Sequence, residues 1–334
     1  MLPTPSPPAS ASCILCGDGG IPRAVRGMTL YRCGSCGFQW ASPVLSSSHY
    51  DTCTVDLSEA KHRRRRRNGE DRIRLLRKLI PPGKARGLRS LDHACDIGCG
   101  EGMVLQCLRE AGFEGGFGIE PNPAFVAFAR SLGLSVEQGT LETAAPLLRE
   151  RQPHVVILIH VIEHLNDPLA ALRTLRSAML PGSFLVLETP NLEGYSGRVL
   201  GDDWPLVYEE HLSYFTPATL RRCLEQAGFS IRAEGKCDFD QYHMGIGDLL
   251  FRLGLRKQKR RDRAPPPPSP SGSGGQQKVP SPSAARRMVA SLASAILSRA
   301  VVALGRVDYL WMVAFIGKDT ASPRAQTSPV AGGI

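Results

Sequence analysis

The chain has 334 residues, 42% of them hydrophobic, which suffices for one large domain with appendages or for two domains. No stretch approaches eighteen uninterrupted apolar residues (Met288 to Leu304 is broken by Arg299), and no basic segment followed by an apolar run opens the chain. A membrane span and a secretory leader are therefore not expected, and the ten cysteines should be reduced or metal-bound in a cytoplasmic setting.

The net charge of +10 is local: Lys61 with Arg63 to Arg67, and Arg256, Lys257, Lys259, Arg260, Arg261 and Arg263, together exceed it. Both runs sit in segments without apolar periodicity and read as solvated linker charge, with an anionic partner such as RNA as the alternative. Residues 1–12 are low-complexity and predict a disordered tail. Cys13-Ile14-Leu15-Cys16 and Cys33-Gly34-Ser35-Cys36 then form two Cys-x2-Cys knuckles, each followed by glycine. Each knuckle offers two thiolates from one tight turn, so Cys13, Cys16, Cys33 and Cys36 complete a tetrahedron for a structural zinc and define a zinc ribbon over 13–42. Thirty residues bury too little surface to fold alone, and the metal would supply the missing free energy.

Residues 43–69 read as a basic connector. From Glu70 to Ile80, Ile73, Leu76, Leu79 and Ile80 recur at helical spacing, closed by Pro81-Pro82-Gly83. Strands and helices alternate thereafter, as a doubly wound parallel sheet requires. The strands are predicted at His93 to Ile97, Gly116 to Glu120, Leu134 to Gln138, His154 to Val161 and Phe184 to Glu188. Asn122-Pro123, Asp167-Pro168 and Thr216-Pro217 each cap a following helix. Phe229 to Cys237 makes a sixth strand and Trp311 to Ile316 a seventh, so the core spans 70–240 and is completed by a strand within 311–318. A helical insertion over 241–310, with a disordered Pro/Ser/Gly linker at 264–283, separates these two strands, and 319–334 is a second disordered tail.

The pattern Asp96-Ile97-Gly98-Cys99-Gly100-Glu101-Gly102 joins the first strand to its helix. Its glycines admit backbone angles closed to other residues and let a ligand lie on the main chain, while Asp96 repels a pyrophosphate and welcomes a cationic amino-acid group. Glu120 ends the second strand twenty residues past Gly100, where nucleoside-binding folds place the carboxylate that accepts from ribose hydroxyls. These segments resemble the first motifs of class I S-adenosylmethionine-dependent methyltransferases. The resemblance implies a Rossmann-like seven-stranded fold whose seventh strand is antiparallel. It also implies a cofactor held by Asp96, Gly98, Cys99, Gly100 and Gly102 at the methionine part, by Glu120 with Pro121 at the ribose, and by Thr140 at the adenine.

Three further stretches lie at the carboxyl ends of strands, where the reacting groups of such folds gather. His160-Val161-Ile162-Glu163-His164 is similar to the Glu-x-x-Glu-His segment of quinone O-methyltransferases, which in some members holds a divalent metal. His160 replaces the first glutamate and is expected beside the sulfonium or the acceptor. Thr189-Pro190-Asn191 departs from the signature of base N-methyltransferases, which argues against a nucleobase acceptor. Glu210-His211-Leu212-Ser213-Tyr214-Phe215-Thr216 resembles a segment of bacterial small-molecule methyltransferases acting on sugars, polysaccharide precursors or secondary metabolites, and is expected to form a lid over the acceptor. His211 is the first candidate for the base and Tyr214 the second, the alternative being that His211 ties the loop down and Tyr214 packs. The sequence thus points to methyl transfer onto a small molecule, with an RNA methyltransferase or a catalytically inactive zinc-ribbon adaptor as the other readings.

Overall fold

The computed structural model of the protein describes residues 12–42, 55, 58–80, 90–237 and 308–317. The expected tails, the Pro81-Pro82-Gly83 stop and the insertion up to residue 307 lie outside the described residues.

The first unit is a three-stranded antiparallel sheet of β1 (Gly20–Val25), β2 (Met28–Cys33) and β3 (Gln39–Ser42). The helix α1 follows, Glu59–Leu79. It begins at Glu59 rather than Glu70, so the arginine run is helical and the connector is shorter than expected. Arginine, lysine and glutamate are good helix formers, and acidic partners hold the run in place. Arg63 pairs with Glu59 at 2.7 Å, Arg66 with Glu70 at 3.2 Å and Glu110 at 2.7 Å, and Arg65 with Glu101. A stretch stabilised by charge pairs carries no apolar periodicity to read.

The core comprises β4 (Ala94–Ile97), α2 (Met103–Glu110), β5 (Phe117–Glu120), α3 (Pro123–Ser131), β6 (Ser135–Gln138), α4 (Ala145–Arg151), β7 (Val155–Ile159), α5 (Pro168–Ala178) and β8 (Phe184–Pro190). It continues with α6 (Tyr195–Leu200), β9 (Ser213–Tyr214), α7 (Pro217–Gln226), β10 (Ser230–Cys237) and β11 (Tyr309–Phe315). The helix starts obey the caps: Asn122 accepts from the Ala124 and Phe125 N–H groups, Asp167 from Ala170, and Thr216 and Thr219 form a reciprocal capping box.

One sheet has the order β10-β11-β8-β7-β4-β5-β6. Its members from β8 to β6 are parallel, and β11 runs antiparallel between β8 and β10. This is the class I methyltransferase topology with its antiparallel seventh strand. Val155 to Leu158 at the centre are fully buried, as a strand covered on both faces must be. Among the described residues no helix is long and apolar enough to cross a membrane.

The ribbon is not a separate bead. β9 pairs with β3, Gln39 opposite Tyr214 and Trp40 opposite Ser213, and so becomes the fourth strand of the ribbon's sheet. Val25, Leu30 and Ala41 of the ribbon share one buried cluster with Leu200, Trp204, Val207, Leu212 and Tyr214 of the core. Arg26 reinforces the junction by donating to the carbonyls of Trp204 (3.3 Å) and Val207 (3.0 Å). The segment after β8, expected as a lid over the acceptor, is held down by the ribbon.

Trp204 is 1% exposed, and its indole N–H is the buried side-chain donor that lacks a partner among the described residues. Removing the whole ring should cost about 3–5 kcal/mol, whereas a phenyl ring retains most of the packing and deletes the orphaned donor. Thermal unfolding is expected to show Trp204→Ala strongly destabilised and Trp204→Phe within about 1 kcal/mol of the parent.

Candidate active site

β4 ends at the glycine turn because no other residue suits its backbone: Gly98, Gly100 and Gly102 have φ of +75°, +54° and +79°. A Cβ on Gly98 would lie 2.5 Å from Val161 Cγ2, whereas one on Gly100 would meet nothing within 4 Å. The turn thus closes on the segment after β7 at Gly98 and leaves open space over Gly100. The Gly98 N–H donates to the Ile119 carbonyl at 2.7 Å, and the Gly100 N–H donates to Glu120 Oε2 at 2.8 Å. Glu120 Oε1 accepts from the Asn122 N–H at 2.9 Å, so one buried carboxylate pins two loops together. Burial raises its pKa and these two bonds oppose the rise. Two bonds leave a carboxylate with acceptor capacity to spare, as ribose hydroxyls would require.

Asp96 is 3% exposed, and burial lifts its carboxyl to about 7 against the opposing charge of Arg72. An acid so placed gains most from a cation delivered by a ligand. Cys99 is buried beneath the turn, where its own burial raises the thiol. Pro121 follows Glu120 and accepts at its carbonyl from Gln138 at 3.4 Å, while Thr140 lies exposed in the turn after β6, its N–H held by Thr143 Oγ1 at 2.9 Å. Asp96, the glycine turn, Glu120, Pro121 and Thr140 therefore follow the carboxyl ends of three adjacent strands. A nucleoside carrying an amino-acid tail fits this donor and acceptor set.

Past β7 the chain bends sharply, and His160 takes φ +56°, an unusual value for a residue with a Cβ. Its N–H donates to the Glu188 carbonyl at 2.9 Å, and its ring lies between two buried carboxylates, Nδ1 3.2 Å from Glu163 and Nε2 3.3 Å from Glu188. Arg72 of α1 grips Glu188 with both arms, Nε at 2.9 Å and a terminal nitrogen at 2.5 Å. Burial pushes Glu188 up, but Arg72 and then His160 hold its carboxyl below the usual value. For Glu163, burial is likewise outweighed by the His160 hydrogen bond and by His160, His164 and His211 nearby, which hold it at about 2.

His211 is 4% exposed, its Nδ1 against the Leu206 carbonyl at 2.8 Å and its ring 4.2 Å from that of Tyr208. Burial pushes it down to about 3, so the ring is neutral, and a carbonyl partner fixes the proton on Nδ1. The His164 Nδ1 is held alike, 2.9 Å from the Glu210 carbonyl. Glu163, His164 and His211 each bring a ligand atom within 4.8 Å of the others, close enough to hold a cation, although the Glu163 oxygens already accept from His160 and from Thr189 (3.0 Å). Tyr214 is buried in the ribbon junction, its hydroxyl 3.5 Å from the Tyr208 carbonyl and its pKa raised by burial. Of the three residues expected to be catalytic, His160 is the one with an appreciably open side chain, at 28%.

The four ribbon sulfurs converge. Cys13 and Cys36 are 3.5 Å apart, Cys16 and Cys33 3.3 Å, and Cys16 and Cys36 3.7 Å. A tetrahedron with Zn–S of about 2.3 Å has edges of about 3.8 Å, so the thiolates fit zinc.

Sequence reading missed Arg72 and Glu188. Each carried a signal: Glu188 interrupts the apolar run Phe184 to Leu187, and Arg72 stands four residues before Leu76 on the buried face of α1.

Comparison with known proteins places the chain. A family model described as "Methyltransferase domain" matches residues 60–234, more than half of it. The ubiquinone biosynthesis O-methyltransferase of Dinoroseobacter shibae is 28% identical over 162 residues, 46% of this chain and 64% of that protein. That of Ruegeria pomeroyi is 32% identical over 154 residues, 42% of this chain and 60% of that protein. The chain thus spans less than two thirds of the length of these relatives. Among solved structures, a SAM dependent methyltransferase from Archaeoglobus fulgidus is similar at TM-score 0.47 and 19% identity, covering 78% of this chain and 98% of that one. The CcbJ methyltransferase from Streptomyces caelestis is similar at TM-score 0.42 and 16% identity, covering 76% and 90%. With the family model spanning the whole strand-and-helix core as far as β10, the chain belongs to the methyltransferase-domain family.

Proposed function

We propose that the protein transfers a methyl group from S-adenosylmethionine to a small-molecule acceptor. The observation that carries this reading is the glycine turn, open above Gly100 and flanked by the buried carboxylates Asp96 and Glu120. Asp96 and the 98–102 backbone, with Cys99 beneath, hold the methionine part; Glu120 and Pro121 hold the ribose, and Thr140 the adenine edge. Cys13, Cys16, Cys33 and Cys36 hold a structural zinc.

The cofactor supplies an electrophilic methyl on a sulfonium. The chain's task is to align the acceptor, exclude water and take up a proton. Alignment contributes roughly 7–11 kcal/mol in such displacements, and a positioned base about 10²–10⁴ in rate. His160, clamped between Glu163 and Glu188, stands at the open side of the site and contacts the acceptor. His211, buried, held at about 3 and tied by Nδ1 to the Leu206 carbonyl, is too weak a base to take the acceptor's proton and fixes the loop, as Tyr214 does by packing in the ribbon junction. The names of the relatives, O-methyltransferases of ubiquinone biosynthesis, support a small acceptor. So does the arginine run: Arg63, Arg65 and Arg66 are paired within the protein, which leaves less charge for an RNA backbone.

Calorimetric titration of the zinc-loaded protein with S-adenosylhomocysteine tests the reading. Micromolar binding, weakened at least tenfold by Asp96→Ala and by Glu120→Ala, is expected; absence of binding to folded wild type would overturn it. Because burial holds Asp96 at about 7 and a cationic amine requires it ionised, affinity should fall about tenfold per pH unit below pH 7. Asp96→Asn should flatten that dependence. Gly98→Ala, strained at positive φ and colliding with Val161, should lower both cofactor affinity and melting temperature, by about 1–3 kcal/mol in stability.

A further inference from the structure

A cleft of about 400 Å³ opens between the ribbon and the core, separate in its lining from the cofactor turn. The ribbon contributes Arg23, Arg32 and Gln39; the core contributes Arg198, Asp202 and Tyr214. Its volume lies in the range of small-molecule sites. In sequence its core wall lies close to the reacting region: Leu192 is two residues past the end of β8, and Tyr214 three residues past His211.

The charges in the cleft do not cancel. Arg23 is paired with Asp202 at 2.8 Å, and Arg198 reaches Glu193 through its carbonyl (2.9 Å) and carboxylate (3.8 Å). Arg32, exposed on β2, has no carboxylate within ion-pair distance among the described residues. Three guanidinium groups thus face two carboxylates, and the surplus charge stands on the ribbon. A planar guanidinium with no carboxylate partner among the described residues suits a bidentate anion.

We infer that this cleft binds an anionic group of the methyl acceptor, a carboxylate or a phosphate, with Arg32 as its counter-ion, so that the ribbon is part of the acceptor site. The inference rests on the methyltransferase reading and deepens it. It gives the ribbon a function beyond folding: it supplies the wall and the charge that select acidic acceptors.

The test is amide and guanidinium NMR on the full-length, zinc-loaded protein titrated with inorganic phosphate and, separately, benzoate, with S-adenosylhomocysteine affinity measured on the same samples. Saturable shifts at Arg32, Gly37 and Tyr214 are expected with at least one anion. Arg32→Ala should weaken that binding at least tenfold and Arg32→Glu abolish it, with zinc content and S-adenosylhomocysteine affinity unchanged. Arg64→Ala on α1 should change nothing. Absence of saturation in the cleft, shifts that survive Arg32→Ala, or loss on Arg64→Ala instead would overturn the inference while leaving the cofactor reading intact. Failure of wild type to bind S-adenosylhomocysteine would overturn the methyltransferase reading, and the acceptor assignment with it.

Discussion

Burying carboxylates at the carboxyl ends of a parallel sheet is the constraint on which this molecule turns. Asp96, Glu120, Glu163 and Glu188 are each at most 5% exposed, and an unpaired buried charge is far too costly to keep. Each is satisfied differently. Glu120 takes two backbone N–H groups, Glu188 takes Arg72, and Glu163 takes His160 and Thr189. Burial raises both Asp96 and Glu120, but Glu120 has its two N–H partners against the rise, and Asp96 is carried up to about 7. That asymmetry marks Asp96 as the group suited to a cation, while Glu163 and Glu188 serve as scaffold and Glu120 keeps acceptor capacity for hydroxyls.

The same accounting explains α1. Arg72 can reach Glu188 only if α1 lies across the sheet, and the pairs from Arg65 to Glu101 and Arg66 to Glu110 hold its first half against the glycine turn and α2. The helix that opens the core therefore also closes over the site. On the other side, the ribbon's sheet takes in β9 and immobilises the loop bearing His211. Two elements outside the alternating core thus fix the two walls of the site.

The doubly wound core was readable because its signals are local: apolar strands, polar-proline helix starts and a glycine turn all point the same way. Boundaries failed where stability comes from charge. The arginine run looks like a linker because helical arginines paired to Glu59, Glu70, Glu101 and Glu110 leave no apolar stripe. The two-residue β9 is invisible for another reason: Ser213 and Tyr214 form a strand only because β3, more than 170 residues earlier, offers an edge. The convergence of Cys13, Cys16, Cys33 and Cys36 was legible from spacing alone. The setting of His211 was not, since its burial against Tyr208 and His164, which decides its charge, is set by how the loop folds onto the core.

One pairing has a consequence for chain connectivity. Cys237 and Tyr309 are cross-strand partners in β10 and β11, so the chain leaves the core and re-enters it at one point, about 5 Å apart. Closing a loop costs only about 0.6 kcal/mol more for each doubling of its length. The chain between Cys237 and Asp308 can therefore lengthen, shrink or be exchanged for another polypeptide with little thermodynamic effect on the sheet, provided that Asp308, buried and bonded to Ser196 and Asn191, is kept. It is a natural port for a grafted module, and it opens beside the site: Tyr309 pairs with Pro190 at the carboxyl end of β8, and its ring lies 5.1 Å from that of His160.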